Sequence, residues 1–223
     1  ALNMIVGGAP VAAAKFAVKD EDRYFLVCWL LGSLLRECVR SKPILRFIGT
    51  TASGKSTIAK LVSVLMYGEE LLNNSASTSA AVYAMAGRYP VLIFDNMEVR
   101  NITPAFEDFL LTSSTGGMKA KRMSGTESGV VLERLDCLVM ANGIEPWGRH
   151  ELIDRVAEFQ VDAAKYGALK FHEARALQEL REARSLIWSG TAKFMQRHVL
   201  PRVKDGHVKR IASEFSRHSK ERF

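Results

Sequence analysis

The spacing of apolar residues changes twice along the chain. In residues 20–40, three acids (Asp20, Glu21, Asp22) precede Tyr24, Val27, Cys28, Leu31, Leu34, Leu35 and Cys38 at helical spacing, and Trp29 and Leu30 widen the stripe. The pattern predicts a helix that ends at Ser41-Lys42-Pro43 and packs on the next domain or on a neighbour. From residue 44 the period shortens. The largely apolar 44–48 (ILRFI) reads as a strand, the runs at 90–96 (PVLIFDN) and 136–141 (DCLVMA) read as buried strands of a parallel sheet, each leading into a polar residue, and 156–161 is a further extended segment. Helical patterns separate them. Ile58, Leu61, Val62 and Leu65 face a core and are stopped by Gly68; a second helix runs from about Thr78 to Gly87; a third begins with Thr103 as cap and Pro104 at the first helical position, and continues through Phe106, Phe109 and Leu110. Residues 113–132 predict a β-hairpin whose first arm is basic and whose tip is the turn-forming 124–129. Beyond residue 168, Leu169, His172, Ala176, Leu180, Ala183 and Ile187 recur at helical spacing and predict two or three helices with Trp188 and Phe194 in their core.

The expected architecture is therefore α/β: a parallel sheet flanked by helices over 44–162, a linker and helix over 1–43, and a small helical appendage with a basic tail over 163–223. No run approaches the ~20 apolar residues that span a bilayer, so no membrane is expected. The opening ALNMIVGGAPVAAAKF has small residues but no basic segment, and reads as the cut edge of a longer polypeptide. Cys28, Cys38 and Cys137 fit neither a disulfide set nor a metal spacing, and read as buried thiols in a reducing cytoplasm. His198, His207 and His218 lie too far apart for a metal site and read as surface. From residue 197 onward, eight Lys and Arg against three acids supply five of the seven net positive charges. A polyanion such as nucleic acid, or simply a solvated helix face, accounts for that tail.

One stretch carries recognisable chemistry. The strand at 44–48 runs into Gly49-Thr50-Thr51-Ala52-Ser53-Gly54-Lys55-Ser56-Thr57, which has the GxxxxGK[ST] spacing of a phosphate-binding loop, and then into a helix. Gly49 and Gly54 permit a turn that points backbone N–H groups inward at a polyphosphate. Lys55 adds a charge for the β- and γ-phosphates, Ser56 a hydroxyl for Mg²⁺, and the helix N-terminus its dipole. Asp95 ends a buried strand at the edge where open α/β sheets bind ligands, so it reads as a Mg²⁺ carboxylate, or else as the cap of the next turn. Asn96 follows it where hydrolytic sites usually carry glutamate. An amide orients water but cannot accept its proton, which leaves Glu98, another residue, or none as general base. Asn142 ends the next buried strand, within reach of a γ-phosphate, although Asn142-Gly143 is also a common turn pair.

In this order, the loop, the acid-ended strand, the Gly116-Gly117 basic hairpin, the Asn-ended strand and an arginine thirteen residues later in ELIDRVAEF resemble the ATPase module of superfamily 3 helicases. These belong to the AAA+ class, and the related proteins are phage and plasmid primase-helicases. The resemblance covers residues 45–162. It implies that Gly49–Thr57 is Walker A and Asp95 Walker B, that Asn142 is sensor 1, and that Lys119, Lys121 and Arg122 on the hairpin contact single-stranded DNA. It further implies that Arg155 is an arginine finger acting on a neighbouring subunit's ATP, with Arg149 a second candidate in trans. Family members form hexameric rings and are often joined to a primase, which implies ATP, Mg²⁺, single-stranded DNA and further copies of the chain as partners, in a bacterial host cytoplasm. The departure at Asn96 bears on hydrolysis, not on nucleotide binding. Three functions follow as expectations: an ATP-driven DNA motor, a nucleotide-gated DNA-binding or loading platform with little hydrolysis, and, with least support, a small-molecule kinase.

Overall fold

The computed structural model of the protein describes residues 20–39, 41–73, 79–122, 130–162 and 172–204. Within them the chain divides into two compact units, with the division between Arg181 and Glu182.

The first unit is built on a four-stranded, all-parallel sheet in the order β2-β5-β1-β6: β1 (Ile44–Ile48), β2 (Val91–Phe94), β5 (Leu138–Gly143) and β6 (Val156–Gln160). Strands β1, β2 and β5 are buried almost throughout, so alternating side chains enter two different cores. On one face Ile44, Leu92, Phe94, Val139 and Ala141 meet Val82 and Ala86 of α3 (Ser79–Arg88), Phe106, Phe109 and Leu110 of α4 (Pro104–Thr115) and Leu152 of the short α5 (His150–Ile153). The Phe94–Phe106 rings pack edge to face there at 5.1 Å. Elsewhere on the sheet Phe47 packs on Phe159, which also meets Phe25 of α1 (Asp20–Leu34), and α2 (Lys55–Tyr67) lies against β5 and β2.

The caps form as the residues dictate. Thr103 Oγ1 accepts the Phe106 N–H at the start of α4, and Gly68, at φ 85°, closes α2 by donating its N–H to the Val64 carbonyl. Strands β3 (Met118–Arg122) and β4 (Val130–Arg134) pair antiparallel as a separate hairpin, with Lys119 opposite Glu133 and Arg122 opposite Val130. Gly116 and Gly117 aim it. Gly116 ends α4 in the left-handed conformation, and a Cβ on Gly117 would lie 2.6 Å from Thr112 Cγ2. The hairpin root is pinned by Asp136, whose Oδ1 takes Lys42 Nζ at 3.2 Å and Arg134 Nε at 3.0 Å. Its expected tip lies outside the described residues.

Helix α1 forms, but turns a different face to the sheet than its spacing suggests. Leu26, Trp29, Leu30 and Ser33 are buried, whereas Tyr24 is 76% exposed and Cys28 lies outside. The helix is apolar nearly all round, so periodicity could not choose a face. The Trp29 indole N–H, donated to the Pro43 carbonyl at 2.8 Å, fixes it. Cys38 is likewise exposed, and only Cys137 is a buried thiol, pushed up to about 12 chiefly by burial.

In line with the two or three helices expected, the described part of this region carries the long α6 (Glu173–Phe194), a π turn at Met195–Val199 and the short α7 (Leu200–Lys204). In the second unit Ile187, Thr191 and Met195 are buried in one line four residues apart. Phe194 is not core: it is 48% exposed and stacks on His198. His198 is exposed as expected, and His207, His218 and most of the basic tail lie outside the described residues. Among the described residues no helix is long and apolar enough to cross a membrane.

Candidate functional site

Because all four strands run parallel, the segments leaving β1, β2 and β5 emerge at one edge of the sheet. The loop after β1 is shaped by two glycines. A Cβ on Gly49 would lie 2.3 Å from the Val161 carbonyl oxygen and 2.9 Å from Ser53 Oγ, and Gly54 sits at φ 101° as the N-cap of α2. Ala52 also has positive φ, at 60°. No side chain caps α2 and no acid stands in its first turn, so the N–H groups at the helix start lack side-chain acceptors. The loop wraps its own lysine: Lys55 Nζ donates to the Gly49 carbonyl at 2.8 Å, the Thr50 carbonyl at 2.7 Å and Ser53 Oγ at 3.3 Å. Burial lowers the Lys55 ammonium from its usual range, opposed by the charges of Glu98 and Asp95.

Ser56 Oγ, one residue on, donates to Asp95 Oδ1 at 3.0 Å, joining the start of α2 to the residue after β2. Two hard oxygens so placed suit Mg²⁺, which commonly takes one or two protein ligands and fills its shell from phosphate and water. Among the described residues no group of three or more acids, histidines or cysteines is placed to hold a metal ion.

Strand β5 lies between β1 and β2, so Asn142 at its end stands between the loop and Asp95. Asn142 is 2% exposed. Its Oδ1 accepts the Asn96 N–H at 2.6 Å and its carbonyl the Met97 N–H at 2.7 Å, while among the described residues Nδ2 is buried without a hydrogen-bond partner. A buried amide hydrogen left over beside a polar edge is a donor awaiting an acceptor. Asn96 itself is exposed and left-handed, at φ 59°, a conformation asparagine tolerates better than most residues. Glu98 is half-buried, and its Oε1 accepts the Ile144 N–H at 3.1 Å.

Arg155 is at the other edge. It precedes β6, whose first residue pairs with Ile44 at the start of β1, so the five residues of β1, roughly 16 Å of strand, lie between it and the level of its own loop. Its backbone carbonyl accepts the Ile44 N–H, whereas its half-buried side chain has no hydrogen-bond or ion-pair partner among the described residues. Arg149 differs: it pairs with Glu107 of its own chain. Lys119, Lys121 and Arg122 sit on the first hairpin strand, as their spacing suggests; their side chains lie outside the description.

Two features went unread in the sequence. Glu173, at the start of α6, accepts hydrogen bonds from Thr57 Oγ1 and from Lys60 Nζ, the latter at 2.5 Å, and so ties α6 to the loop's last residue. No spacing signal connects residues 116 apart in the chain. Arg46 is completely buried in β1, its guanidinium carbon 4.2 Å from the centre of the Trp147 ring. A lone arginine inside ILRFI was its visible sign. No protein-family model and no curated protein matches this chain, so the reading of the site rests on its own residues.

Proposed function

We propose that this chain is a P-loop ATPase module of the superfamily 3 helicase type within the AAA+ class. In this reading it assembles with copies of itself into a ring, a hexamer, and moves single-stranded DNA by its basic hairpins during replication of a phage or mobile element. The observation that carries the reading is the Ser56 Oγ–Asp95 Oδ1 bond of 3.0 Å beside the Lys55 loop, with the free amide of Asn142 between the two strands.

Each residue then has a task. The N–H groups of the loop and of the start of α2 bind the phosphates, and Lys55 leaves its own carbonyls for the β- and γ-oxygens. Ser56 and Asp95 hold Mg²⁺, which neutralises charge on the phosphates when bound. Asn142 Nδ2 donates to the γ-phosphate or the water in line with it. Glu98 accepts the water's proton, because Asn96 cannot. Arg155, on the opposite edge from its own loop, serves the site of an adjacent copy, where its charge stabilises the transition state. The bonding of Arg149 to Glu107 makes Arg155 the better finger. Lys119, Lys121 and Arg122 contact the DNA backbone without reading sequence.

The exposed Asn96 favours a second reading, a platform that binds ATP to assemble on DNA and hydrolyses it little. Phosphate release by the purified chain, with and without single-stranded DNA, separates the two. A DNA-stimulated rate that Lys55→Ala abolishes is the motor's result; tight ATP binding without release is the platform's.

A further inference from the structure

Arg46 is 0% exposed, on the inner strand β1, and among the described residues its Nε and Nη1 have no hydrogen-bond partner. Burial lowers it to about 10, against the opposing charges of Glu158 and Glu98. A guanidinium removed from water with most of its donors unused is costly, and an apolar side chain of similar volume commonly serves stability as well or better. What Arg46 touches is more informative. Its Nη2 donates to the Glu145 carbonyl, its flat face lies on Trp147, and its Nε stands 3.9 Å from Glu158 Oε2.

Glu98 reaches the same segment from the other strand, by accepting the Ile144 N–H at 3.1 Å. The two side chains converge at Gly143: a Cβ there would lie 2.9 Å from Arg46 Nη2, 3.6 Å from Glu98 Oε1 and 2.8 Å from the Met97 carbonyl oxygen. The approaches to Arg46 and to the Met97 carbonyl are too close for a Cβ, so glycine is what lets the guanidinium lie here, with the Glu98 carboxylate at ordinary contact distance. The segment Gly143-Ile144-Glu145, directly after Asn142, is thus gripped at its first peptide N–H by a carboxylate and, two peptides on, at the Glu145 carbonyl by a guanidinium.

We infer that Arg46 is a positioning residue for Glu98: by holding the 143–145 segment and facing the carboxylate across Gly143, it fixes where Glu98 stands relative to Asn142 and Lys55. This rests on the ATPase reading, in which Glu98 takes the proton of the attacking water. Misplacing a base by about an ångström costs up to roughly 100-fold in rate, which sets the scale expected of losing Arg46.

The test is a double-substitution cycle in the full chain, with ATP turnover measured under single-turnover conditions in the presence of single-stranded DNA, and with binding of a non-hydrolysable ATP analogue. Arg46→Met is expected to bind the analogue like the wild type while turning over roughly 10- to 100-fold more slowly. Combined with Glu98→Gln it should add no further loss, since there is no base left to position. An equal fold-loss in both backgrounds, or a wild-type rate in Arg46→Met, overturns the inference and leaves the ATPase reading standing. A wild type that releases no phosphate rejects the ATPase reading, and the positioning role with it. If circular dichroism shows Arg46→Met unfolded, Arg46→Lys, which keeps the charge but not the planar fork, runs the same cycle with the same criteria.

Discussion

Ser56 Oγ and Asp95 Oδ1 lie 3.0 Å apart although 39 residues separate them in the chain. Parallel strands β1 and β2 both end at this edge, and β5 between them holds the spacing. The first prediction follows from that bond. Asp95→Asn keeps the hydrogen bond's acceptor but removes the charge that holds a divalent cation, so it should leave the fold intact, weaken the Mg²⁺ dependence of nucleotide binding, and cut ATP turnover about 10²- to 10³-fold. Titration with Mg²⁺ at fixed nucleotide measures it.

The second concerns Asn96 and Glu98. Glu98→Gln should lower turnover by about 10²- to 10⁴-fold, the usual contribution of a general base. Asn96→Glu places a base after Asp95 but asks glutamate to adopt φ near 59°, which should cost about 1 kcal/mol of stability. Denaturant unfolding reads the cost, and phosphate release reads whether turnover rises, as the platform reading requires.

Lines of apolar spacing made the strands legible because β1, β2 and β5 are buried on both faces; the cap Thr103 and the stop Gly68 were legible because each answers a local geometric need. The candidate site was visible as a loop, an acid and an amide, since all three sit at strand ends. What spacing could not carry was anything set by distant packing. The face α1 buries depends on the Trp29 bond to Pro43, the contact of Glu173 with Thr57 depends on where α6 begins, and the surroundings of Arg46 depend on Trp147 and Glu98. Phe194 was misplaced in the core because alanine and charged residues sustain this helix with little core, and among the described residues of the second unit the buried line is Ile187, Thr191 and Met195.

A third prediction is pH dependence at the start of α6. Burial raises the Glu173 carboxyl, but hydrogen bonds from Lys60 and Thr57 and the Lys60 charge outweigh it and hold the group below its ordinary 4.5. Lys60 is raised above 10.5, chiefly by its bond to Glu173. A depressed carboxyl stabilises above its unfolded pKa and loses that contribution as pH falls through the folded value; a raised lysine stabilises below its unfolded pKa and loses it as pH rises past the folded one. The contact should therefore be constant between 4.5 and 10.5 and weaken outside that window. With side chains 31% and 36% exposed, solvent screening keeps Glu173→Gln to a loss of about 0.5–1 kcal/mol, readable by thermal unfolding across pH.

A fourth concerns the hairpin. Alanine at Lys119, Lys121 and Arg122 together should leave DNA-free turnover unchanged, remove most of its stimulation by single-stranded DNA, and flatten the salt dependence of DNA binding by about 0.7 per lost phosphate contact. Equal stimulation in the variant and the wild type would move the DNA contact elsewhere.

The central claim is that one copy's loop is completed by another copy's Arg155, and mixing two inactive variants tests it most directly. Lys55→Ala lacks the loop's charge and Arg155→Ala lacks the finger, so each alone should be inactive. Mixed in equal amounts and allowed to reassemble, they should regain a measurable share of wild-type ATP turnover, because some interfaces then pair an intact loop with an intact arginine. A mixture as inactive as its parts, or an Arg155→Ala chain that turns over like the wild type, would contradict the account.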